Sequence, residues 1–413
     1  MQTLLDFAGQ IQVVAGISIG LPLILHYLRC RHWSSMFQSP PLGNQLPLLD
    51  IILPMWNEEL VAHGKLEDIV SQDYPTGKVR ITFVDSCSTD STVEVVSLWE
   101  EENIDRLDFP ISHILMERRL GKSAAINLAL DSLSEDAEVI VMSDADARLE
   151  QGSLLRIGRW MSDPSIGAVS GTQKIVNREG SSQIGREESY RGVFNTFRFG
   201  ESAKDSTPIF EGSLAAYRVS ALNGSRVREN ANADDSQLAL AVRFNGHRAI
   251  MDPELKFNEF TPSNLEMSRR QKVRRAQGLV RMFARNFKYL GMRETSGFRS
   301  ILAFESYFHL VIPWLTLVGL AALLTHLVGY SSEVLNGFPV VLSFNSLLAG
   351  TSVYFVACLA LGRFLPLSGV IQSFIQAEAS LLEAQLLIIF GQSLHKWEQV
   401  TEVREFLHDF ESD

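Results

Sequence analysis

Apolar residues cluster along this chain on two length scales. Long runs occupy residues 8–28, 304–328 and 339–361, each near the ~20 residues that a helix needs to cross the hydrocarbon of a bilayer. A fourth run, 367–390, contains Glu378 and Glu383, and carboxylates in lipid are costly unless they face other helices. Between the first two runs the pattern shortens to bursts at 48–53, 79–84, 112–116 and 139–142. The first three bursts are each followed by a helical stretch, at 58–71, 91–101 and 122–133. Strands alternating with helices predict a mostly parallel sheet covered on both faces. Right-handed crossovers then line up the strand ends, and the loops after them, along one edge. The expected class is α/β, with one N-terminal and two to three C-terminal transmembrane helices.

These patterns divide the chain into an anchor at 1–33, a soluble domain at 46–264, a basic amphipathic region at 265–300, membrane helices at 301–392 and an acidic tail at 393–413. Pro40, Pro41 and Gly43 mark a linker between anchor and domain. Residues 1–10 lack a basic segment and no small-residue cleavage site follows, so the first run reads as an anchor and not a signal peptide. Over 267–289, Val273, Leu279, Val280, Met282, Phe283 and Phe287 fall on an apolar side, which suits a helix lying on the membrane. Arg29, Arg31 and His32 follow the first run, the loop 329–338 has no basic residue, and Arg363 lies in the next connection. Positive charge stays inside, so the soluble domain is expected in the cytosol, in a multi-pass protein of the plasma membrane.

Charge removes some functions. With 37 Lys and Arg against 48 Asp and Glu, the formal net charge is -11, which argues against a nucleic-acid partner. Basic residues concentrate at 269–299, beside a membrane run, where anionic headgroups or an anionic ligand would meet them. The three cysteines, Cys30, Cys87 and Cys358, are scattered and form neither a disulfide framework nor a zinc spacing.

Candidate chemistry sits after the bursts. Pro54-Met55-Trp56-Asn57-Glu58-Glu59 follows the first, where Asn57 could simply cap the next helix. Asp85 ends the second, and Ser88 to Thr92 offer caps for the helix beyond, leaving Asp85 with no capping task. Gly121-Lys122-Ser123 invites a phosphate-loop reading, but the first glycine of that motif is replaced by Met116. Asp144 and Asp146 stand at the tip of the fourth burst. Two acids there suit a hard divalent cation with oxygen ligands that also grips a diphosphate.

In order, Pro54-x-x-Asn57-Glu58, Asp85-x-x-Ser88-x-Asp90, Gly121-Lys122-x-x-Ala125-x-Asn127 and Asp144-x-Asp146 resemble the inverting GT-A-fold glycosyltransferases. That family includes cellulose, chitin and hyaluronan synthases and dolichyl-phosphate mannose synthases, and the resemblance covers about residues 48–275. It implies a Rossmann-like GT-A domain whose Pro54, Asn57, Glu58, Asp85, Lys122 and Asp144 bind a nucleotide-diphospho-sugar, Asp85 at the base and Lys122 near the donor. It also implies Mn2+ or Mg2+ on Asp144 and Asp146. Ala233-Asp234-Asp235-Ser236 is similar to the family's Glu-Asp segment, making Asp235 the catalytic base and Asp234 a substrate contact. The same two acids could instead merely open a helix. Residues 210–218 look like the segment beneath the acceptor, which points to Gly212 and Ser213. Gln271-x-x-Arg274 resembles the Gln-x-x-Arg-Trp motif that holds the leaving diphosphate, with Arg275 in place of the Trp. Ser86-Cys87 stands where many members have Asp-Gly. The expected reaction moves a sugar to a hydroxyl of a lipid-linked or membrane-proximal glycan. The alternatives are a polyprenyl-phosphate glycosyl synthase, and a sugar-nucleotide-binding membrane scaffold or transporter.

Overall fold

The computed structural model describes residues 2–43, 45–176, 182–229, 231–260, 265–291, 297–336, 343–361, 365–394 and 401–412. A long helix, α1 (Gln2–Ser34), precedes the sheet domain, which opens with β1 (Leu49–Met55), α2 (Ala62–Val70), β2 (Val79–Asp85), α3 (Thr92–Glu102), β3 (Ser112–Leu115), α4 (Lys122–Asp131) and β4 (Val139–Ser143). It continues through β5 (Arg148–Leu149), α5 (Ser153–Trp160), β6 (Ile166–Ile175), α6 (Ser182–Lys204), β7 (Leu214–Arg218), α7 (Val219–Leu222), α8 (Asp234–Phe244) and β8 (Arg248–Glu259). After it come α9 (Leu265–Asn286), α10 (Arg299–Leu310), α11 (Ile312–Leu335), α12 (Phe344–Leu361), α13 (Ser368–Ile389) and α14 (Thr401–Ser412).

One eight-stranded sheet runs in the order β3-β2-β1-β4-β7-β6-β8-β5. The half from β3 to β4 is parallel, as the alternating pattern predicts. Every residue of β1 is buried, as expected of a strand covered on both faces. Asp50, on that strand, meets its register partner Arg80 with N–O distances of 2.7 and 3.0 Å, so the charge is paired where it is buried. The other half is mixed. β7 lies antiparallel to both β4 and β6, and β6 lies parallel to β8.

Several expected boundaries move. The helix predicted from residue 58 starts at Ala62, after a turn in which the Val61 and Ala62 N–H groups both donate to the Glu58 carbonyl, at 3.0 and 2.9 Å. The predicted span 304–328 is broken between α10 and α11. Pro313, at the start of α11, has no N–H and its ring opposes the carbonyl four residues back. That carbonyl, on His309, accepts instead from Gln385 Nε2 at 2.9 Å. Three helices are long and apolar enough to cross a membrane: Leu5–Ser34, Ile312–Leu335 and Phe344–Leu361. The run at 367–390 forms α13, which is not among them, and its Glu383 pairs with Arg269 of α9 at 2.5 Å. Arg363 lies outside the described residues.

Helix α9 does not lie alone. Val273, Ala276 and Val280 pack with Phe308, Ile312, Leu381 and Ala384, so α10, α11 and α13 cover much of the apolar side assigned to lipid. Nor is residue 393 onward simply a tail, since α14 places Val403 and Leu407 in the main core cluster beneath the sheet. At the other end, α1 crosses α6 so closely that a Cβ on Gly200 would lie 2.4 Å from Cys30 Cα. Beside that crossing, buried His26 Nε2 meets Glu201 Oε1 at 3.0 Å and Cys30 Sγ at 3.3 Å.

Candidate active site

The parallel half of the sheet brings its informative loops to one edge. Asn57 does not cap α2. Its backbone N–H donates to Ser88 Oγ at 2.9 Å, and its side-chain oxygen accepts from the Thr89 N–H at 2.8 Å. The loops after β1 and β2 are thereby stitched together. Asp85 does not cap α3; its carboxylate accepts the Ser88 N–H of the loop at 3.0 Å. Pro54 is buried within β1, level with Val84. Glu58 is wholly buried, and its backbone N–H donates to Thr92 Oγ1 at 2.7 Å.

The turn bearing Asp144 and Asp146 is fixed from below. Buried Lys65 of α2 donates to the Ala147 carbonyl at 2.8 Å, and Arg148 reaches back to the Ala145 carbonyl at 2.7 Å. Asp68 accepts the Leu149 N–H at 3.0 Å. A loop with its carbonyls and amides engaged in this way holds its two acids in a set direction.

Four segments meet around those acids. Lys122, first residue of α4, pairs with Asp144 Oδ1, and its neighbour Ser123 donates to Asp234 Oδ1. Ser213 Oγ donates to Asp144 Oδ2 at 3.2 Å and lies 3.4 Å from Glu259 Oε2. A Cβ on Gly212 would sit 3.4 Å from Asp235 Oδ2. Asp235 itself stands at the N-terminus of α8, whose cap residue Ala233 has a left-handed φ of 62°. Its backbone carbonyl accepts the Tyr217 hydroxyl at 2.9 Å. Burial pushes the Asp235 carboxyl up to about 7, helped by the charge of Asp234, and burial also raises Asp234. Helix α9 closes this side. Gly278 lets it approach the loop, since a Cβ there would lie 2.7 Å from the Asn232 carbonyl carbon and 2.9 Å from Ala233. The Arg274 charge acts on Asp234, and Gln271 stands one turn earlier on the same helix. Arg275, in the place expected for an aromatic ring, lies 3.8 Å from Glu259.

Two features have no signature in the sequence. Arg404 of α14 forms an ion pair with Asp146 at 3.0 Å and holds Glu58 through two N–H groups at 2.8 and 2.9 Å. The Arg119 guanidinium stacks over Trp56, 3.3 Å from the ring centroid. The only hint of the first is an arginine beside the Val403, Phe406 and Leu407 stripe of a short amphipathic helix. Arg119 over Trp56 joins residues 63 positions apart, beyond any local pattern.

The donor set at the sheet edge fits a divalent ion. Asp144 and Asp146 offer only carboxylate oxygens, the ligand type preferred by Mg2+ and Mn2+, and both already stand beside cationic groups, Lys122 and Arg404. An arriving metal cation would share these carboxylates with the two side-chain cations or displace them.

Comparisons with known proteins follow the same lines. The family model described as Glycosyl transferase family 2 matches residues 50–225, and that described as Glycosyl transferase family group 2 matches residues 139–364. Among curated relatives, an N-acetylglucosaminyltransferase of Rhizobium meliloti is 25% identical over 65% of this chain and 63% of its own length. A poly-beta-1,6-N-acetyl-D-glucosamine synthase of Staphylococcus aureus is 24% identical over 61% of this chain and 60% of its own. The matched stretch thus spans less than two thirds of either relative. Among solved structures, a mannosyltransferase from Pyrobaculum calidifontis, in complex with GDP-Man and Mn2+, is 27% identical with a TM-score of 0.75, covering 94% of this chain and all of that one.

Proposed function

The chain belongs to glycosyl transferase family group 2, whose model spans more than half of it, and from that premise we propose a membrane-anchored, metal-dependent, inverting glycosyltransferase with its sheet domain in the cytosol. It moves a sugar from a nucleotide-diphospho-sugar to a hydroxyl of a lipid-linked or membrane-proximal glycan. The observation that carries this reading is the convergence of two sets of groups on one cleft. Asp144 and Lys122, suited to a diphosphate, connect through Ser123 to Asp234 and through Ser213 and Gly212 to the neighbourhood of Asp235. Support for the donor class comes from the Pyrobaculum mannosyltransferase with its GDP-Man and Mn2+.

In this reading, Pro54, Asn57, Glu58 and Asp85 receive the nucleoside end of the donor. Lys122 and Arg274 flank the diphosphate with permanent or near-permanent charge, and Gln271 stands beside it. Asp144 and Asp146 would hold Mn2+ or Mg2+, which supplies positive charge to the diphosphate as it leaves. Gly212, Ser213 and Asp234 line the acceptor side. Asp235 takes the proton of the acceptor hydroxyl. The new bond forms from that oxygen to the anomeric carbon, the bond from this carbon to the phosphate oxygen breaks, and the nucleoside diphosphate departs with the electron pair. Its elevated pKa makes Asp235 a stronger base than an ordinary aspartate.

The test is Asp235→Asn. Donor affinity is expected to stay within a few fold, while transfer falls by roughly 10² or more, the scale for losing a general base. Released nucleoside diphosphate, across a panel of nucleotide sugars, provides the readout. Near-normal transfer to a polyprenyl phosphate, which attacks already ionised, would replace this reading with a polyprenyl-phosphate glycosyl synthase. Collapse of donor binding would move Asp235 into the nucleotide site.

A further inference from the structure

Helix α14 lies far along the chain from the sheet edge, yet its Arg404 reaches that edge. The side chain is 4% exposed. Its Nε and Nη2 donate to Glu58 Oε2 and Oε1 at 2.9 and 2.8 Å, while Nη1 lies 3.0 Å from Asp146 Oδ2. The helix is secured by buried Val403 and Leu407, by Phe406 set edge-on to Phe260 with centroids 4.9 Å apart, and by His408 Nδ1 at 3.2 Å from the Leu60 carbonyl. Burying a guanidinium is unfavourable unless its donors find acceptors in good geometry. Here the planar fork grips one carboxylate with two donors and leaves a third for the next. Apolar docking of α14 alone would require only the stripe formed by Val403, Phe406 and Leu407. An arginine on that buried side, aimed at two acids of one cleft, calls for a further reason.

We propose that Arg404 is a positioning residue of the donor site, delivered by the C-terminal helix to fix Glu58 and Asp146 and to set a permanent positive charge beside the diphosphate. This rests on the donor-site reading given above. Arg404 engages one oxygen of Asp146, and a carboxylate can serve a guanidinium through one oxygen and a divalent ion through the other. Hydrogen-bonded partners of this kind orient a ligand, and their loss typically weakens metal affinity about 10–100-fold. The bidentate grip on Glu58 is the anchor, so the contact with Asp146 can adjust without α14 leaving. A second effect works in the opposite direction, because a guanidinium also repels a nearby cation. Which effect prevails is measurable.

The experiment uses the full-length protein in detergent or lipid nanodiscs. Mn2+ binding is followed by electron paramagnetic resonance, alone and with GDP or UDP, in the wild type and in Arg404→Ala, Arg404→Lys and Leu407→Asp. Arg404→Ala is expected to weaken Mn2+-dependent binding of nucleoside diphosphate about tenfold or more. Added guanidinium ion should restore part of the loss, and sodium at equal ionic strength should not. Arg404→Lys should recover little, since one ammonium cannot reproduce the fork, and Leu407→Asp, which undocks the helix, should mimic Arg404→Ala. If Arg404→Ala fails to fold by circular dichroism, the paired Glu58→Gln, Arg404→Gln variant removes the buried charge imbalance, and its binding relative to Glu58→Gln alone is held to the same expectation. Wild-type binding in Arg404→Ala or the paired variant would overturn the proposal. So would tighter binding, which would make Arg404 a competitor of the metal. If the wild type itself bound neither Mn2+ nor nucleotide, the underlying donor-site reading would fall, an outcome distinct from equal binding in wild type and variant.

Discussion

As the proposed base, Asp235 would tie the chemistry to pH. Burial raises its carboxyl to about 7, so the protonated form gains below that pH, and a base must be unprotonated to accept a proton. As pH falls through 7, kcat/KM is therefore expected to drop about tenfold per unit, with the plateau above. A pH–rate profile of the wild type checks this, and an acidic limb centred near 4 would assign the base to a less buried group. The sequence could place Asp85, Asp144 and Asp146 at strand tips because apolar bursts mark where a strand ends. It could not place Arg404, because a single arginine in a short acidic helix carries no motif and its partners lie 346 and 258 positions away. The backbone partner of Asp85 was not legible for a related reason, because its carboxylate folds onto the loop at Ser88 and not onto a helix end.

At the scale of elements, α9 is the piece that joins chemistry to the helical bundle. Gly278 permits its contact with Asn232 and Ala233, the two residues immediately before the Asp234–Asp235 pair. Gly278→Val is expected to shift that loop and lower kcat by one to two orders of magnitude, since displacements of about 1 Å can cost ~10² in rate. Circular dichroism and membrane extraction should stay unchanged, and a fully active variant would show that the loop can yield freely. Elements β1 to β4 were legible because each is a short apolar burst closed by polar residues. The mixed half was not. β5 has only two residues, and β7 inserts between β4 and β6 by pairing across more than forty positions of chain. The broken span shows another limit. Hydropathy runs unchanged through Pro313, but the backbone hydrogen-bond ladder does not.

At the scale of the whole molecule, the sheet domain meets the apolar helices through α6, which packs against α1 and α13, and through α9, which packs against α10 and α13. Three of the helices can cross a bilayer, and α9 carries the contact that positions the acid pair. Under the proposed membrane anchoring, the height of Asp235 above the bilayer would be set by how deeply those helices sit, and that depth would answer to lipid length. Thinner or thicker bilayers make apolar helices tilt or shift at modest cost. In nanodiscs built from a series of acyl-chain lengths, transfer to a membrane-bound acceptor is expected to pass through an optimum, while nucleotide binding stays level. A flat response would mean that α9 absorbs the change before it reaches Ala233. Such an optimum would mean that the proposed enzyme gauges distance from the membrane and would select acceptors by the height at which they present their reactive oxygen.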